Sequence, residues 1–169
     1  MAVVFTLQFD PARIRELSAA YAYRDNAHVL EAGERILRGT GSAADVHIIS
    51  KWKSPRSSGR VRKNSAHEIE DAIRLAVSAL TDRAALAVLV GLKGVDVPVA
   101  SAVLSAIFPE RFTIIDFRAL EALGVKRPSP QIDFYLEYLE HCRSLATTHG
   151  VSLRDLDRAL WQWSSSASK

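Results

Sequence analysis

The apolar positions of this chain recur at helical spacing almost throughout. Ile14, Leu17 and Tyr21 form a stripe behind Asp10-Pro11, a capping residue followed by the residue best suited to a first helical turn. Asp25 is placed to cap a second helix, with Val29, Leu30, Ile36 and Leu37 inward and Gly39-Thr40-Gly41 at its end. Ser42 and Asp45 make a shortened capping box for a third helix, which runs through Trp52 with Val46 and Ile49 inward. Ser65 and Glu68 make a fuller box ahead of Ile69, Ala72, Ile73, Ala76, Val77 and Leu80. Ser129-Pro130 is read as the start of a long helix with Ile132, Tyr135, Leu136, Leu139 and Cys142 on one face. Gly150 ends it, and Ser152 opens a last helix with Leu153, Leu156, Leu160 and Trp163 inward. The terminal SSSASK is expected to be disordered. Only residues 3–9 and 112–115 alternate enough to suggest strands.

The most apolar region, residues 86–124, reads as helix, tight turn, helix, short loop and a third helix that opens at Asp116. Thr81 caps the first of these, on which Leu86, Leu89 and Val90 share a face. Val99, Ala102, Val103, Ala106 and Ile107 do the same on the second. Gly91-Leu92-Lys93-Gly94-Val95-Asp96 is too short for anything but a hairpin, with two glycines able to take positive φ, and Pro98 fits the first turn after it. The N–H groups around Gly94 and at the following helix start carry the positive end of the helix dipole, so they can hold a phosphate oxygen, directly or through a cation. A turn of this kind also serves simply to pack two helices. Asp116 has a parallel pair of readings, as a helix cap and as a fixed anion.

Charge sharpens one region. The net charge is +3, yet residues 51–63 alone hold six Lys/Arg and no acid, leaving sixteen basic against nineteen acidic side chains elsewhere. A positive excess confined to one segment is what contact with nucleic acid requires. The Pro, Ser and Gly of residues 54–64 break any helix and predict a mobile basic loop over residues 51–64, in which Lys53, Arg56, Arg60, Arg62 and Asn64 would meet phosphates. Trp52 or Arg56 could stack on a base, although a tryptophan there also suits a core.

Leu-x-Gly-Val, then Ala100-Ser101, then Phe-Pro-x-x-Phe and Ile-Ile-Asp make residues 81–124 resemble the helix-hairpin-helix DNA glycosylase superfamily, of the endonuclease III and alkyladenine type. The resemblance implies an all-α fold of about eight helices around a helix-hairpin-helix core. It implies DNA gripped by the hairpin residues Leu92, Lys93, Gly94, Val95 and Asp96, and Asp116 as the catalytic acid. Two positions depart from the family pattern. Asp96 replaces the usual second hairpin glycine, which leaves room for a hairpin-bound cation as a bridge to phosphate. Pro98 replaces the lysine of bifunctional members, which excludes a Schiff-base lyase at that position.

Other chemistries find no support. The single cysteine, Cys142, excludes an internal disulfide and a four-cysteine iron–sulfur cluster, and favours a cytoplasmic protein. The five histidines show no metal-ligand spacing. There is no nucleophile elbow and no Walker or dinucleotide glycine pattern. Residues 1–9 are apolar but too short for a membrane span and lack a basic leader region. The reading is thus one helical domain that binds DNA, with no cofactor required. Its leading activity is monofunctional base excision, and the alternatives are a non-catalytic DNA-binding module and a helical scaffold.

Overall fold

The structure is a computed structural model that describes residues 3–22, 26–127 and 129–167. The expected cap Asp25 lies outside the described residues. All regular structure in the described residues is helical, with ten α-helices and one short 3-10 turn. The chain divides into two compact units, Met1–Arg24 with Thr113–Lys169, and Asp25–Phe112.

The chain enters the first unit through an extended segment, followed by a 3-10 turn at Pro11–Arg13 and α1 (Ile14–Ala19). Asp10 caps the turn by accepting the Ala12 N–H at 2.9 Å. The second unit then comprises α2 (Ala27–Leu37), α3 (Ala43–Lys53), α4 (Pro55–Val61), α5 (Ala66–Ser78), α6 (Asp82–Val90) and α7 (Val97–Ile107). The first unit is completed by α8 (Phe117–Ala122), α9 (Ile132–His149) and α10 (Leu153–Ala167).

In the second unit α7 is the central element. Every residue from Val97 to Ile107 except Pro98 is buried, because α2, α3 and α6 all pack on it. The approach of α2 is so close that a Cβ on Gly33 would sit 2.0 Å from the Ala106 carbonyl oxygen. No side chain fits there, so this mid-helix glycine is set by packing rather than by turn geometry. The capping boxes of α3 and α5 both form as their spacing predicts. In α3 the buried Asp45 carboxylate also takes the Arg35 Nε–H at 2.8 Å, so its charge is both capped and paired.

In the first unit α10 packs on α1, α8 and α9. Residues 3–9 form no strand. They lie extended against the end of α8, with the Thr6 and Gln8 N–H groups donating to the Leu123 and Ala122 carbonyls at 2.9 Å. Residues 112–115 form no strand either. The Tyr135 and Tyr138 hydroxyls, wholly buried on α9, donate to the Thr113 and Ile114 carbonyls, each at 2.8 Å.

Several sequence expectations give way to packing. The basic segment is helical, not a loop: Pro55 occupies the first turn of α4, and Val61, 0% exposed, fixes its inner face together with Ser57. The long helix begins at Ile132, after Pro130, with Gln131 in the capping position. The terminal serines continue α10 to Ala167, because Ser164 is buried and hydrogen-bonds Glu121. Leu80 is 97% exposed since α5 stops at Ser78, and Leu37, at the last turn of α2, is 47% exposed. Of the two hairpin glycines, only Gly94 takes positive φ, at 77°.

Candidate nucleic-acid interface

Within the second unit, two predicted contact regions meet. The side chain of Asn64 bridges them: its Nδ2 donates to the Val61 carbonyl at 2.8 Å and the Lys93 carbonyl at 2.9 Å. Its Oδ1 accepts the Lys93 N–H at 2.9 Å. One amide therefore ties the end of α4 to the hairpin between α6 and α7. Gly94 closes the same junction, since a Cβ there would meet the Arg60 Cβ and the Val61 nitrogen at 2.7 Å. The glycine is thus required by close approach to α4 as well as by its left-handed backbone.

This junction turns cations outward. Arg56, Arg60, Arg62, Lys63 and Lys93 are exposed, and among the described residues none forms an ion pair. The hairpin leaves the Gly94, Asp96 and Val97 N–H groups without a protein acceptor among the described residues. Such N–H groups beside lysine and arginine suit a phosphate. Asp96 caps α7, its Oδ1 accepting the Val99 N–H at 3.0 Å. That cap gives the acid in the hairpin a structural role. Among the described residues no three His, Cys, Asp or Glu side chains gather as a metal site.

Three proposed contact residues face elsewhere. Trp52 is 7% exposed on the inner face of α3, so it packs in the core and offers no stacking surface. Val95 is buried as an anchor of the hairpin, and Asn64 is buried and spent on backbone partners. Leu92 and Lys53 are half-buried. Behind the surface, burial and the charge of Arg62 lower the pKa of His47, whose Nε2 is buried without a partner among the described residues.

Asp116 belongs to the first unit. It stands before α8 and caps it, its Oδ1 accepting the Ala119 N–H at 2.9 Å. The two buried tyrosines fix the chain just ahead of it, so the carboxylate is carried on a segment whose carbonyls are already satisfied. Burial, foremost, together with the charges of Cys142, Asp157 and Asp116, holds the Tyr138 hydroxyl well above the ordinary phenol range. Burial pushes the Cys142 thiol to about 12, so it is inert at neutral pH.

The residue next to Asp116 is one that sequence reasoning missed. Phe117 is 70% exposed, the single aromatic among the large exposed apolar side chains of the described residues. The Arg118 guanidinium lies 5.1 Å from the centroid of the Phe117 ring and 5.1 Å from that of Trp161. A signal existed: the inward positions of α8 are Ala119, Leu120 and Ala122, which leaves position 117 off the buried face.

No protein-family model, curated protein or solved structure matches this chain. Among the described residues no helix is long and apolar enough to cross a membrane.

Proposed function

We propose that this chain binds DNA through the α4–hairpin surface and excises a base as a monofunctional glycosylase, with Asp116 supplying the charge. The observation that carries the binding is the Asn64 bridge, which holds exposed cations and unpaired hairpin N–H groups on one rigid surface. Cations set the affinity and its salt dependence, while fixed N–H donors set the register of a strand. Excision is supported by the resemblance of residues 81–124 and by a half-exposed carboxylate on a pinned segment. A fixed anion there would face the developing oxocarbenium charge of a sugar losing its base and orient the attacking water. The base must first leave the stack.

The test combines salt-dependent DNA binding with a panel of duplexes bearing uracil, alkylated and oxidised bases, treated with alkali to reveal abasic sites. Salt-sensitive binding with excision of at least one lesion supports the whole reading. Binding without excision leaves a DNA-binding module in which Asp116 is a helix cap. No binding to DNA at low salt overturns both and favours a scaffold.

A further inference from the structure

In the first unit, three arginine and three aromatic side chains, all at least partly exposed, form a continuous line. It begins at the Phe117 ring and passes through the Arg118 guanidinium to Trp161, both rings centred 5.1 Å from that cation. Trp161 meets Tyr21 edge-on with centroids 5.4 Å apart, and the Arg158 guanidinium lies 5.6 Å from the Tyr21 ring centroid. Arg154 completes the line one turn earlier on α10, since residues 154, 158 and 161 share a helix face.

The far end of this line is electrostatically unfinished. Among the described residues, Arg154 and Arg158 each keep a buried Nε–H with no acceptor, and neither forms an ion pair. The two sit on the first turns of α10, where the helix dipole disfavours cations. Asp155 and Asp157 lie near enough to moderate this, but Asp155 is engaged by the Ser18 and Ser152 hydroxyls. Two half-buried guanidinium groups in mutual repulsion suit an anion that both can reach. At the other end, Phe117 offers an uncovered ring face backed by a cation.

We infer that this line is a track for an unpaired nucleic-acid strand, with phosphate held by Arg154 and Arg158 and a base stacked on Phe117 beside Asp116. A combination of arginine and aromatic groups along one surface is what single-strand binding uses, because every base has a π-face and every linkage a charge. The inference rests on the proposed nucleic-acid function and adds the form of the ligand and a stacking residue.

The test measures binding of a fluorescent oligothymidylate and of a duplex of equal length over a salt series. It uses the wild type, Phe117→Ala, Phe117→Trp and the double variant Arg154→Met/Arg158→Met. Phe117→Ala should weaken single-strand binding by about tenfold, and Phe117→Trp should restore it. The double variant should flatten the salt dependence by about 1.4 in slope, corresponding to two lost phosphate contacts on a single strand. Duplex binding should change less. Phe117 is exposed, so its variants keep the fold even if the arginine pair proves structural. Wild-type affinity in both Phe117→Ala and the double variant, with duplex binding intact, would overturn the track and leave the proposed function standing. Absence of salt-sensitive binding to either form would instead overturn the nucleic-acid reading itself.

Discussion

The α4–hairpin junction and the segment leading to Asp116 solve the same problem by opposite means. Each is a short irregular stretch whose backbone carbonyls need partners. At the junction the partner is one amide, Asn64, which satisfies both donor and acceptor demands and sits under a surface of exposed cations. Ahead of Asp116 the partners are two tyrosine hydroxyls delivered from the interior by a packed helix. The first arrangement is polar and rests on one side chain. The second is anchored in a hydrophobic core, which tolerates change at the carboxylate itself. Substitutions should therefore uncouple function from stability at Asp116 and damage both at Asn64.

The largest expected effect is on chemistry. Asp116→Asn keeps the cap of α8, Asn and Asp being comparable there, and should melt close to the wild type. Excision by the variant should fall by about two to three powers of ten. Equal excision rates would remove Asp116 from the chemistry. Asn64→Ala should behave in the opposite sense. It strands the Lys93 N–H and the Lys93 carbonyl, while the Val61 carbonyl keeps the backbone N–H of residue 64, so a loss of about 2 kcal/mol in denaturant unfolding is expected, with weaker DNA binding alongside. Unchanged stability would show that the amide does not hold the hairpin to α4.

Gly94→Ala comes next, at about 1–2 kcal/mol from the left-handed backbone alone, with the contacts to Arg60 and Val61 adding to it. Loss of binding with an unchanged melting temperature would mean that the glycine serves ligand approach alone. The smallest effect is on pH dependence, and each unit carries one sensor. His47 and His141 both have pKa values lowered from 6.5, each by burial first, with Arg62 adding to the effect at His47. A histidine kept neutral by the fold contributes stability that is present above about pH 6.5 and is lost as pH falls through its lowered value. Arg62→Ala should raise the His47 value and leave His141 unmoved, as read by NMR titration of the ring protons. Equal shifts at both would contradict the assignment of Arg62 as a local cause.

How much of the molecule is legible in the sequence depends on how local each cause is. Ser42, Ser65, Thr81 and Asp116 can be read as caps because the bonds they make span three residues or fewer, whereas the cap made by Asp96 is masked by its place in a hairpin. Gly94 is legible as a turn, but its contact with Arg60 and Val61 is not, since that depends on where α4 lies. The helicity of α4 is hidden for the same reason. Proline, serines and a glycine argue against a helix, and only burial of Val61 against the rest of the unit overrides them. The role of Asn64 spans 29 residues and has no signature in spacing. The arginine–aromatic line of the first unit is invisible because it joins residues 21, 118 and 158 across the chain.

The central claim is that exposed cations on α4 meet DNA phosphates, and the most direct measurement is the salt dependence of duplex binding. Log K against log salt should be linear for the wild type. For the triple variant Arg56→Ala/Arg60→Ala/Arg62→Ala the slope should be shallower by about one unit per lost contact, with weaker binding at every sequence tested. The fold should persist, because all three side chains are exposed. A triple variant that melts like the wild type and binds with unchanged slope and affinity would contradict the account.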